Sequence, residues 1–76
     1  MLAENLMPEI ITIILDGLPE EVPPGLSVAQ LVDIKNAHHM ELIVELDGRF
    51  VHPRNYESTI LRPGVRVELL LPAFGG

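Results

Sequence analysis

The chain contains no cysteine and no tryptophan, and it has a single tyrosine, two phenylalanines and one lysine. Without cysteine there is neither a disulfide nor a thiolate metal centre, so packing alone must hold the fold. The shortage of aromatics leaves Ile, Leu and Val to fill the core. Basic residues are scarce too: five stand against eleven acidic ones, for a net charge of -6. That balance argues against nucleic acid or an anionic membrane as partner, because a phosphate surface repels such a chain. It suits a basic protein groove, toward which an acidic surface is steered, and equally it suits plain solubility. No apolar run approaches the ~20 residues that cross a bilayer, and the N-terminus lacks the basic flank and apolar stretch of a secretion signal. A cytoplasmic protein is the expectation. With Lys35 as the one lysine, the chain offers little to chemistry that acylates lysines.

What is present is enough for one small domain of 76 residues, a size that buries only about 60% of its unfolded surface. Residues 1–8 show no clean period and are read as a flexible leader; a domain is expected over 9–72 and a flexible tail over 73–76. Glu9 to Leu15 is rich in β-branched residues and runs into Asp16-Gly17, a strong hairpin signal because a type I′ turn needs positive φ at both central positions. Leu18 to Val22 returns as a short strand that Pro19 confines to an edge. Pro23-Pro24-Gly25 breaks the pattern. Ser27 with Gln30 three residues later forms a capping box, and Leu26 is placed as its hydrophobic staple. Val28, Leu31 and Val32 then give one apolar stripe on a helix that ends near Asn36.

From Met40 to Leu46 the pattern alternates, with Met40, Leu42, Val44 and Leu46 facing in and Glu41 and Glu45 facing out. Asp47-Gly48 turns this strand into Arg49-Phe50-Val51, and His52-Pro53 ends it. Pro53 suits the first position of a single helical turn over 54–57. After the Pro63-Gly64 turn, Val65, Val67, Leu69 and Leu71 are expected inward and Arg66 and Glu68 outward, until Pro72 stops the strand. One helix and four or five strands imply an α+β fold in which the helix covers one face of a mixed sheet. A β-grasp is the compact solution, with the first and last strands parallel at the sheet centre, as their apolar character suits.

The chain ends in Phe74-Gly75-Gly76. Taken alone, two glycines are better explained as a frayed end than as a device. The other account is a tether, since a backbone without Cβ passes through channels closed to other residues.

Four segments change that balance: the opening strand with its Asp16-Gly17 hairpin; Leu26-Ser27-Val28-Ala29-Gln30-Leu31-Val32, close to the pattern T/S-V-x-x-L-L; Glu45 to Arg54, close to x-x-N-G-x-x-V-P-R; and Val65-Arg66-Val67-Glu68 leading to Gly75-Gly76. In this order and spacing the chain resembles the ThiS/MoaD-type sulfur carrier proteins, ubiquitin-like β-grasps, from about Ile10 to Gly76, with the thiamine-biosynthesis ThiS branch nearest in look. Two departures blur the subfamily. Val65 stands where the family usually has the aspartate of a Gly-Asp pair, and His52 separates Val51 from Pro53. Pro72 is similar to the molybdopterin branch, whose tails often carry prolines. Ubiquitin shares fold and diglycine, but the arginines that precede its tail are missing here.

The resemblance implies a protein cosubstrate and not an enzyme. The carboxyl of Gly76 is adenylated by an activating enzyme that uses ATP, and a sulfur donor then converts it to a thiocarboxylate. A biosynthetic synthase accepts the sulfur. Thiamine thiazole is the first expected pathway; molybdopterin, cysteine or homocysteine are alternatives, as is a ubiquitin-like modifier without sulfur chemistry. Gly75 and Gly76 thread the activating site, and Phe74 either anchors the channel mouth or folds back on the sheet. Arg66, Glu68 and Leu70 form the docking face, although for Leu70 a second core-facing position is preferred. No cofactor is expected to be bound. No metal site is expected either, because His38 and His39 are adjacent and point apart. Ser27 is a cap without triad-like partners, and Glu20, Glu21, Glu41 and Glu45 are solvated faces rather than an acid-base pair.

Overall fold

The computed structural model describes residues 10–39 and 41–71; the expected leader (1–8) and tail (73–76), with Phe74, Gly75 and Gly76, lie outside them. Strands β1 (Ile11–Leu15) and β2 (Leu18–Val22) precede helix α1 (Val28–Ile34), and β3 (Ile43–Leu46), β4 (Arg49–Val51), a 3-10 turn (Pro53–Asn55) and β5 (Arg66–Leu70) follow. The sheet has five strands in the order β2-β1-β5-β3-β4. β1 and β5 run parallel and the other neighbours antiparallel. This is the mixed sheet of a ubiquitin-like β-grasp, with its two most apolar strands inside.

Both hairpins turn where the sequence placed them. Asp16 and Gly17 have φ of 50° and 89°, and Asp47 and Gly48 have 50° and 83°, the paired left-handed conformations of a type I′ turn. β2 is an edge strand and tolerates Pro19, whose missing N–H would have broken an inner ladder.

The helix is short because both ends are fixed locally. At its start, four backbone donors that a helix leaves unpaired all find acceptors. Ser27 N–H donates to Gln30 Oε1 (2.9 Å) and Gln30 N–H to Ser27 Oγ (3.1 Å), while Val28 and Ala29 donate to the carbonyls of Thr59 and Tyr56. At the other end, Asn36 takes φ of 56° and helical geometry stops. Val28, Leu31 and Val32 face the sheet and pack with Ile11, Ile13, Leu15, Val44 and Val67, and Leu26 and Leu61 close the core below them.

Some expectations need correction. β3 starts at Ile43 rather than Met40 (itself outside the described residues), and the helical turn is 3-10 over Pro53–Asn55 rather than a turn over 54–57. Glu45 faces outward as expected, although its neighbours leave it half-buried. Leu71 was expected inward but is 54% exposed: the β3–β5 ladder closes at Ile43↔Leu70, one residue short of it.

Candidate functional site

β5 lies between β1 and β3, and two side chains from the hairpin turns fasten it there. Asp16 Oδ1 accepts from Leu69 N–H at 3.0 Å, and Asp47 Oδ1 accepts from Arg66 N–H at 3.0 Å. Asp16 N–H and Asp47 N–H in turn donate to the carbonyls of Val67 and Arg66, both at 2.8 Å. The strand that leads toward the diglycine is thus held rigidly from Arg66 to Leu69. Sequence reasoning had assigned these aspartates only to their turns; a side chain at such a corner is free to reach a neighbouring strand, but which strand depends on the sheet order.

Alternation along β5 then separates two sets. Val67 is fully buried, whereas Arg66, Glu68 and Leu70 are exposed on the face away from the helix. Leu70, 40% exposed, is therefore not a second core position, because among the described residues no element covers that side of the sheet. The register brings further residues beside these three, since directly paired residues share a face. Ile14 lies opposite Arg66, Ile43 opposite Leu70 and Glu45 opposite Glu68, with Phe50 beyond Glu45. The outer face is thus an apolar field of Ile14, Ile43, Phe50 and Leu70 crossed by a Glu45–Glu68 pair. Phe50 is 52% exposed, with its ring edge against His52 at a centroid separation of 4.7 Å. Ile14, Ile43 and Phe50 were not among the expected docking residues, for each has an unremarkable strand pattern and only the register assembles them.

Arg66 is the cation of this face, its Nε 3.7 Å from Asp47 Oδ1. Around it the charge is acidic, so the surface combines an apolar centre with negative potential, the kind that is steered toward a basic, apolar groove. Phe74, Gly75 and Gly76 follow Leu71 and lie outside the described residues.

The histidines belong elsewhere. His38 Nε2 and Asp33 Oδ1 are 2.8 Å apart beside the helix end. Among the described residues no three His, Asp or Glu side chains converge as a metal site. His38, His39 and Tyr56 border a shallow apolar depression with Ala29, Val32 and Leu42, where desolvation raises the Tyr56 phenol above its ordinary 10.0. Lys35 is paired with Glu20. No described helix is long and apolar enough to cross a membrane.

The comparisons with known proteins agree on one kind of protein. The ThiS family model matches residues 10–76. The crystal structure of a thiamine biosynthesis protein (ThiS) from Geobacter metallireducens superimposes with a TM-score of 0.75 at 28% identity, covering 87% of this chain and all of that one (100%). The solution structure of a thiamine biosynthesis protein from the same organism gives a TM-score of 0.72 at 26% identity, covering 87% of this chain and 88% of that chain. Among curated proteins none matches.

Proposed function

The chain belongs to the ThiS family, and from that membership we propose that it is a sulfur carrier acting through the C-terminal carboxyl of Gly76. The observation that carries this reading is a family match that runs unbroken from β1 to the diglycine at residues 75–76. The names of the two similar structures favour thiamine biosynthesis as the destination, and hence the thiazole sulfur.

A carboxylate is a poor electrophile, because its charge is delocalised and oxide is a poor leaving group. An activating enzyme therefore transfers AMP from ATP to the Gly76 carboxylate and releases pyrophosphate. A sulfide or persulfide nucleophile attacks the acyl carbon of this adenylate, AMP leaves, and a thiocarboxylate remains; when a persulfide is the donor, its S–S bond is cleaved by a further thiol. The thiocarboxylate sulfur then attacks the biosynthetic acceptor. The carrier supplies no catalytic group of its own and holds no cofactor; ATP belongs to the partner enzyme. Its contribution is positional. Arg66, Glu68 and Leu70, joined by Ile14, Ile43 and Phe50, dock on the activating enzyme and the synthase, Phe74 sits at the channel mouth, and Gly75 and Gly76 thread the channel. An anchored β5 makes this economical, for that strand is already ordered before binding.

The test is intact mass after incubation with an adenylating enzyme of the same host, ATP and a sulfide source. A gain equal to exchange of one oxygen for sulfur, absent when Gly76 is deleted, supports the carrier. An unchanged mass, while a known carrier is converted under the same conditions, rejects it.

A further inference from the structure

The two edges of the sheet are built alike and finished differently. In the order β2-β1-β5-β3-β4 the outer strands are β2 and β4, and each returns from a two-residue Asp-Gly turn. The residues that flank such a turn exchange both backbone bonds, so the next residue on the returning strand points its N–H and C=O away from the sheet. On β2 that residue is Pro19, opposite Ile14. It has no N–H to offer, and Glu20 and Glu21 follow it; proline and charge are means by which an edge is closed to further strands. On β4 the same place is held by Phe50, opposite Glu45, and both of its backbone groups are open. His52 stays extended (φ -68°, ψ 142°), so its N–H lies on the same side, two residues on, while its C=O accepts from Asn55 N–H.

Beside this open edge, on the helix side of β4, lies a groove of about 800 Å³. Leu46, Val51, Ile60 and Val65 give it an apolar surface, and Arg49 and Arg62 give it charge. Ile60 is 49% exposed there. Arg49, Arg54 and Arg62 all lack an ion pair among the described residues. Only Arg49 and Arg62 line the groove; Arg54 stands on the 3-10 turn beyond Pro53, outside its walls. Asp47, also on the border, opposes an incoming carboxylate only weakly, because its own is engaged by Arg66. The Ser58 and Thr59 hydroxyls donate to the Asn55 carbonyl. The groove therefore meets an anion with guanidinium groups and apolar surface, which suits an acidic peptide better than a small free anion.

We infer that β4 takes an extended, acidic segment of a partner protein as a further strand of the sheet. In antiparallel pairing, one residue of that segment exchanges N–H···O bonds with Phe50. The residue after it sets a carboxylate against Arg49, a second carboxylate is met by Arg62, and the residue before it lays an apolar side chain by Val51 and Ile60. Edge addition of this kind draws affinity from main-chain bonds and specificity from alternate side chains. β4 has three residues and Pro53 ends its edge, so three backbone groups are available and the groove supplies the remainder. A chain of net charge -6 otherwise repels acidic segments, and the paired arginines of the groove reverse that locally. This inference is independent of the sulfur-carrier reading, since it needs neither Gly76 nor an activating enzyme.

The test adds the peptide acetyl-Thr-Ile-Val-Glu-Glu-amide to the isotope-labelled full chain. The amides of Arg49, Phe50, Val51, His52 and Ile60 should shift together, hydrogen exchange at Phe50 should slow, and the Kd should fall below about 1 mM. Methylating the valine nitrogen of the peptide, or replacing both glutamates with lysine, should weaken binding about tenfold or more. Arg49→Glu/Arg62→Glu should reverse the preference between the acidic and lysine peptides, whereas Arg54→Glu should leave it as it was. No shift, shifts centred on Ile14, Ile43 and Leu70, or methylation without effect would each overturn the inference. So would inorganic phosphate moving the same resonances as far as the peptide does, which makes the arginines an anion site only. Phe50 shifts that grow with protein concentration alone would give the edge to a second copy. Nuclear Overhauser contacts from residues 1–9 to Ile60 in the free chain would give it to the chain itself, and either result overturns the proposal.

Discussion

Asp16 does two things at once: it occupies a left-handed corner at φ of 50°, and its carboxylate accepts from Leu69 N–H. Alanine at this position loses the acceptor and is strained by the positive φ, so Asp16→Ala should destabilise the fold by about 1–3 kcal/mol. Asn tolerates the same backbone and keeps a carbonyl acceptor, so Asp16→Asn should recover most of that loss in urea denaturation. If Asn is as damaging as Ala, the bond to β5 is not what the residue contributes. Tyr56, the only tyrosine, gives a second residue-scale check. Desolvation raises its phenol above 10.0, which means that the folded state favours the neutral form. Stability from this group is therefore complete below pH 10 and is lost as the pH rises through the folded value. Phenolate absorbance in the native protein should appear at higher pH than in urea.

The helix shows how an element's stability lies partly outside it. Over seven residues, Val28–Ile34, propensity alone would not sustain it, because isolated helices below about 12–15 residues are marginal. Its cap and its buried stripe supply the rest. Ser27→Ala removes the acceptor for Gln30 N–H and should cost about 0.5–2 kcal/mol, measurable as a lower urea midpoint at unchanged slope. In the sheet, Glu45 and Glu68 stand directly opposite each other, and like charges so placed are destabilising. Glu68→Lys should raise stability by roughly 0.2–1 kcal/mol while weakening binding to the activating enzyme. Such a conflict between stability and docking is what a functional face predicts; if Glu68→Lys leaves binding unchanged, Glu68 is no part of the docking surface.

At the scale of the whole molecule, a small aliphatic core bears the fold. Leu31 is fully buried (0% exposed) between helix and sheet, and Leu31→Ala should cost about 2–5 kcal/mol, a large part of the 5–15 kcal/mol typical of native domains. Calorimetry of that variant should therefore show a melting temperature far lower than a surface substitution such as Glu57→Ala gives. Net charge also acts globally. On the sulfur-carrier proposal, association with an activating enzyme that presents a basic groove should slow as salt is added, since steering at long range is screened beyond about 10 Å at 0.1 M.

What the sequence determined was local or periodic. Asp-Gly pairs fixed both hairpins because few other residues accept two successive positive φ values, and Ser27 with Gln30 fixed the helix start because both acceptors lie within one turn of the chain. Alternation separated Val67 from Arg66 and Glu68, and the family pattern pointed to Gly76. The tertiary structure decided the rest, since those features depend on which strands meet. Leu70 and Leu71 look like core residues along the chain, but among the described residues the helix covers only the opposite face of the sheet, which leaves Leu70 40% exposed, and the ladder stops before Leu71. The apolar field of Ile14, Ile43, Phe50 and Leu70 is assembled by register across four strands. Likewise Arg49 and Arg62, thirteen residues apart in the chain, share one groove because the β3–β4 hairpin and the segment leading into β5 come together at the same end of the sheet.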